Sequence, residues 1–116
     1  DQLPGATIRS LLREVLPKEF ANGREVLIDI VEVPPNTHVA PHWHPGEEYQ
    51  YVLEGEATVK IEGQPDFEIR EGMAGRIPYK AVHSVMTKDK GIKVVVFRIH
   101  TSGKPVRFAK GEKGSS

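Results

Sequence analysis

The feature that most limits what this chain can fold into is a recurrence of short, β-branched and aromatic runs punctuated by turn residues. The runs are "REVLIDIVEV" (Arg24–Val33), "EYQYVLE" (Glu48–Glu54), "EATVKIE" (Glu56–Glu62), "DFEIR" (Asp66–Arg70), "AGRIP" (Ala74–Pro78), "HSVMT" (His83–Thr87) and "IKVVVFRIH" (Ile92–His100). Most hold four to nine residues and are separated by Gly, Pro or Asn, the spacing of an all-β sandwich or barrel. "EGQPD" (Glu62–Asp66) reads as a turn between two strands, and Glu54-Gly55-Glu56 as a tight reversal. In "IRSLLREVL" the residues Ile8, Leu11, Leu12 and Val15 fall at helical spacing. That predicts a short helix, with an edge strand as the competing reading. The division expected is an N-terminal arm over 1–23, a barrel over 24–108 and a flexible, apolar-poor tail over 109–116.

With 116 residues the chain makes one domain. Sixteen basic and sixteen acidic residues cancel without long runs of one sign, which argues against nucleic acid or an acidic membrane as partner. There is no cysteine, so disulfides, thiolate ligands and cysteine nucleophiles are excluded together. No apolar run approaches the length of a membrane span. The first residue is Asp1, which leaves the compartment undecided: cytoplasmic or, if a signal peptide has been removed, periplasmic or secreted.

The chemistry concentrates in "PHWHPGEEYQYVLEG" (Pro41–Gly55). In an extended strand alternate side chains share a face and rise about 3.3 Å per residue, so His42 and His44 point the same way, about 6.6 Å apart. Pro45-Gly46 then reverses the chain, and Glu48 can return a carboxylate to the same side. A fourth ligand has to come from elsewhere, and His83, after "RIPYKAV", is the natural source. Three imidazoles and a carboxylate suit Mn, Fe, Co, Ni, Cu or Zn and leave positions open for water or substrate. An H-x-H pair by itself is common on surface strands and would not establish a site. His38 and His100 read as solvated or hydrogen-bonded side chains, and Glu47 as a surface charge.

These residues resemble the two cupin motifs. His42, His44, Glu48 and Gly55 match H-x-H-x3-E-x6-G, and Gly72, Pro78 and His83 match much of G-x5-P-x-G-x2-H. The glycine that usually begins the first motif is Asn36 here, the glycine after the second-motif proline is Lys80, and the usual asparagine is Thr87. All four metal-ligand positions survive. The resemblance implies a double-stranded β-helix (jelly-roll barrel) with a divalent transition metal inside it, and frequent homodimers formed through terminal strands.

Counting by twos from Glu48 and His83 places Gln50, Val52, Val85 and Thr87 inward, where they would support the ligands or line a pocket, and Tyr49 and Tyr51 outward. Trp43 reads as packing, and Arg76 and Arg98 as surface residues, although an inward Arg98 would clamp an anionic substrate. Which face of Lys93–His100 lines the barrel is left open by its alternation. The ligand set serves a dioxygenase acting on an enol or diol, or an isomerase or lyase that stabilises an enolate, with Glu48 as the acid–base residue. The competing reading is a non-catalytic module that holds a small or sugar-like molecule, with the metal as anchor. In either case the imidazoles must be neutral to ligate, so metal affinity is expected to fall as pH drops through about 6.5.

Overall fold

Strands form at each run read from the sequence, in a computed structural model that describes residues 3–113. The order is β1 (Thr7–Val15), α1 (Lys18–Ala21), β2 (Arg24–Val33), β3 (His38–Trp43), β4 (Gly46–Ile61), β5 (Phe67–Arg70), β6 (Ala74–Ile77), β7 (His83–Met86), β8 (Ile92–Thr101) and β9 (Phe108–Ala109). All pairings are antiparallel, and β4 belongs to two sheets at once. Its first part lies between β8 and β6, with β2 and β1 beyond β8; its second part lies between β5 and β7, with β3 and β9 beyond β7. The curled result is the jelly-roll arrangement, and the inner faces of both sheets share one core that includes Val31, Val39, Val52, Val59, Ile77 and Val94.

Three expectations need correcting. The reversal expected at Gly55 does not occur: β4 runs continuously for 16 residues, with a register irregularity between Val52 and Glu54. Gly55 has φ 80, and a Cβ there would stand 1.8 Å from the Gly91 carbonyl oxygen, so glycine permits the strand to bend from one sheet into the other against that backbone. Of the two readings of the N-terminal stretch, short helix or edge strand, the second holds: it is strand β1 at the edge of the sheet, paired with β2 from Thr7↔Glu32 to Val15↔Glu25. A bulge between Ser10 and Leu12 shifts the side-chain phase, which is why its apolar residues do not show period two. The tail is tied down over 109–112: β9 pairs with β3, the Lys110 amide donates to the Pro41 carbonyl, and Trp43 Nε1–H donates to the Glu112 carbonyl. Trp43 also stacks on Phe108 at 4.6 Å, the packing role expected of it, while residues 114–116 lie outside the described residues.

Both positions where motif glycines are replaced keep a left-handed backbone, φ 54 at Asn36 and φ 62 at Lys80. Asparagine tolerates that conformation; lysine does so at roughly 1–2 kcal/mol of strain. The motif's turns therefore persist although its glycines do not.

Candidate metal centre

His42 and His83 are register partners on β3 and β7, and their rings lie 4.3 Å apart, centroid to centroid. A bulge between Val39 and His42 makes this possible, because an undistorted β3 with Val39 inward would turn His42 outward. His44 follows the end of β3, where the chain crosses from one sheet to the other instead of forming a hairpin; its ring is 5.1 Å from those of both His42 and His83. A ligand-capable nitrogen from each of the three buried histidines lies within 4.8 Å of the others.

Each ring is held the same way. Nδ1 of His42 is 2.9 Å from the Ala40 carbonyl, Nδ1 of His83 is 2.9 Å from the Ala81 carbonyl, and Nδ1 of His44 is 2.8 Å from the Val106 carbonyl. A carbonyl only accepts, so each Nδ1 carries a proton, and in its neutral form each ring presents an Nε2 lone pair. Such fixed tautomers are how metal-binding imidazoles are oriented. Burial, reinforced by the neighbouring His83, pushes His42 down to about 3, and burial also lowers His83. Protons therefore compete for these nitrogens less than the unperturbed histidine value implies. Metal occupancy measured by dialysis and elemental analysis is expected to hold at pH 6 and to fall only in more acid solution; half-loss of the metal already near pH 6.5 would contradict this.

Glu48 borders the group through His44, with Oε1 3.0 Å from His44 Nε2. Neither atom makes a hydrogen bond among the described residues. With the proton on Nδ1, two lone pairs face each other in a buried space, an arrangement that calls for positive charge between them, whether a proton or a metal ion. The donor set fits a transition metal on these grounds. Burial alone would raise the Glu48 carboxyl, but the neighbouring Arg98 guanidinium holds it below the usual carboxylate range. It is an anion at neutral pH.

Arg98 is the main correction at the site. It is buried, not on the surface: Ile92, Val94, Val96, Arg98 and His100 form the inner face of β8. Burial lowers the Arg98 pKa, opposed by Glu48, and the inward charge is compensated across the sheet. Arg98 donates to Asp29 on β2 at 2.8 Å and lies 3.4 Å from Glu48 on β4. His100 likewise meets Glu25 at 2.7 Å, and Glu25 also accepts from Arg13 on β1 at 2.7 Å. Nothing local in the sequence marks Asp29, Glu25 or Arg107 as part of this group.

The site opens on a cavity of about 50 Å³, counted as the space open to the centres of water-sized molecules, enough for a few waters or a small ligand. Its walls are mostly valine and isoleucine, including the expected Val85; the charged and polar lining is His42, His83, Glu48, Gln50, Arg98 and Arg107. Val52 is buried in the core without lining the cavity. Thr87 is buried but braces the loop before β3 instead of lining the cavity, since its hydroxyl donates to the Pro34 carbonyl and accepts from the Thr37 amide. Tyr49 and Tyr51 are exposed, His38 is exposed, and Arg76 pairs with Glu47 at the surface.

The profile of the family described as "Cupin domain" matches residues 29–100, well over half of the chain. The chain belongs to the cupin family. Among curated proteins this cupin is similar to the dimethylsulfoniopropionate lyase DddW of Ruegeria pomeroyi, with 36% identity over 70 residues that cover 60% of this chain and 45% of the relative. It thus spans about half the length of the curated relative it matches. Among solved structures, the dimethylsulfoniopropionate lyase DddQ of Ruegeria pomeroyi superposes with a TM-score of 0.68 at 23% identity, over 78% of this chain and 45% of that one. The polyketide cyclase RemF of Streptomyces resistomycificus superposes with a TM-score of 0.70 at 23% identity, over 96% and 75% of the two chains. These structural likenesses bear on the fold.

Proposed function

We propose that this cupin is a metal-dependent lyase for a small carboxylate of the sulfoniopropionate kind, with His42, His44 and His83 as the ligands and Glu48 as an adjoining, exchangeable ligand and base. The observation that carries the reading is the set of three imidazoles whose Nδ1–H groups are all tied to backbone carbonyls, facing an ionised Glu48 at the edge of an apolar cavity. The likeness to DddW supplies the substrate class. A bound transition metal would supply Lewis acidity toward a substrate oxygen.

The remaining steps fall to the chain's own residues. Arg107 lines the cavity with positive charge suited to a carboxylate, and the valine and isoleucine walls exclude water from the reacting carbons. Glu48 accepts a proton from the carbon next to the carboxylate; the C–H electron pair becomes the C=C bond as the C–S bond breaks, and the sulfide leaves with its electron pair. The products are an acrylate, a dialkyl sulfide and the proton left on Glu48. No tyrosine lines the cavity among the described residues, which leaves Glu48 as the base.

The test is turnover of dimethylsulfoniopropionate by protein loaded in turn with Fe²⁺, Mn²⁺, Co²⁺, Ni²⁺ and Zn²⁺, read as dimethyl sulfide by gas chromatography and without oxygen uptake. Glu48→Gln is expected to lower kcat by about 10²–10⁴, the range of a lost general base. Arg107→Met is expected to raise KM by about 10–100-fold with a smaller change in kcat, as for loss of a charged hydrogen bond to substrate. Stoichiometric metal with no turnover on this or other β-substituted propionates would leave the non-catalytic binding module as the better account. Oxygen uptake with enols or diols would instead favour a dioxygenase.

A further inference from the structure

Three adjacent strands place one row of buried charge across the sheet: Asp29 on β2, Arg98 on β8 and Glu48 on β4. Glu48 and Arg98 are direct cross-strand partners. The row is not evenly bonded. Arg98 makes a 2.8 Å hydrogen bond to Asp29, whereas its Nε lies 3.4 Å from Glu48 Oε1 without hydrogen-bond geometry. The same Glu48 oxygen is 3.0 Å from His44 Nε2. One carboxylate oxygen thus stands between a fixed guanidinium and the metal-binding nitrogens, fully engaged by neither.

We infer that Arg98, anchored by Asp29, is a positioning residue that draws the Glu48 carboxylate away from tight metal ligation and so keeps it available as a base. This rests on the metal-centre reading above. Arg98 and the metal compete for one oxygen, and Asp29 sets the competition by sharing the guanidinium. A cation a few ångströms from a ligand oxygen weakens that oxygen's hold on a second cation. Loss of the Arg98–Asp29 pair frees Glu48 for the metal; loss of Asp29 alone gives Arg98 wholly to Glu48.

The two changes therefore act on metal binding with opposite sign, which a merely structural role would not produce. The experiment is a Co²⁺ titration followed by visible d–d absorption, on the wild type, Asp29→Asn, the double variant Asp29→Asn/Arg98→Met, and each of these with Glu48→Gln. Asp29→Asn is expected to weaken Co²⁺ binding by about threefold, and the double variant to strengthen it by about tenfold. Glu48→Gln is expected to weaken binding about threefold in the wild type but at least about tenfold in the double variant, where it also changes the absorption spectrum.

Equal Glu48→Gln effects in the two backgrounds, within about twofold, overturn the inference. If the double variant fails to fold, Asp29→Asn still decides: unchanged or tighter Co²⁺ binding overturns the inference, and weaker binding that Glu48→Gln no longer deepens supports it. A folded wild type that takes up no Co²⁺ overturns the metal-centre reading and this inference together. One that binds Co²⁺ without the coupling overturns this inference alone.

Discussion

Replacing His83 by alanine is expected to lower transition-metal affinity by at least about 100-fold, so that protein purified and dialysed at neutral pH carries essentially none. Two imidazoles would remain, both on the segment around the end of β3, with no ligand from β7 to close the group. The fold should survive in the metal-free state, because the hydrophobic core does not depend on this ring. What disappears is the stabilisation that metal confers on the wild type, about 2.7 kcal/mol when free metal exceeds the dissociation constant 100-fold. Thermal melts with and without added Co²⁺ read this directly: the wild type shifts upward and His83→Ala does not. His38→Ala is the matched control, since His38 is exposed at the start of β3. Stoichiometric metal retained by His83→Ala, or lost equally by His38→Ala, would show that the three-histidine group is not the site.

The fold class and the three histidines were legible because each leaves a local mark. β-type runs with turn residues between them give the strands, and the two motif spacings give His42, His44 and His83. The jelly roll itself came from resemblance, since period and turn signals do not distinguish a sandwich from a barrel. What stayed hidden depends on long-range pairing. β2 reads apolar on both faces, with Val26, Ile28 and Ile30 on one and Leu27, Val31 and Val33 on the other, so alternation could not show that Glu25 and Asp29 point inward. β8 has the same ambiguity. Arg98 reads as an outward residue because a lone buried guanidinium is prohibitive, and the compensating carboxylates stand 69 residues away in β2 and across the sheet in β4. The bulge that turns His42 toward His83, like the bulge that disguised β1 as a helix, inserts a residue whose effect on phase appears only once the partner strand is known.

Arg98→Met, made alone, is expected to destabilise the barrel strongly while leaving the three histidines intact. Methionine is close to arginine in length and matches the apolar neighbours Val96 and Val94, so the loss is chiefly of charge. It strands Asp29 and Glu48, both buried, without the cation between them. Breaking a buried pair from one side costs about 3–5 kcal/mol, a large part of the roughly 5–15 kcal/mol that holds a domain of this size together. The melting temperature should fall by well over about 10 °C. Adding Asp29→Asn to Arg98→Met should recover roughly 2 kcal/mol, because the second change removes one of the two stranded charges; independent sites would instead add their losses. Urea unfolding of the three variants measures this directly. A double variant less stable than Arg98→Met alone would mean that Asp29 supports β2 by some route other than its bond to Arg98. Recovery, by contrast, would tie the burial of both carboxylates to the Arg98 guanidinium, which lets a sheet interior otherwise built of valine and isoleucine hold an anionic Glu48 beside the histidine group.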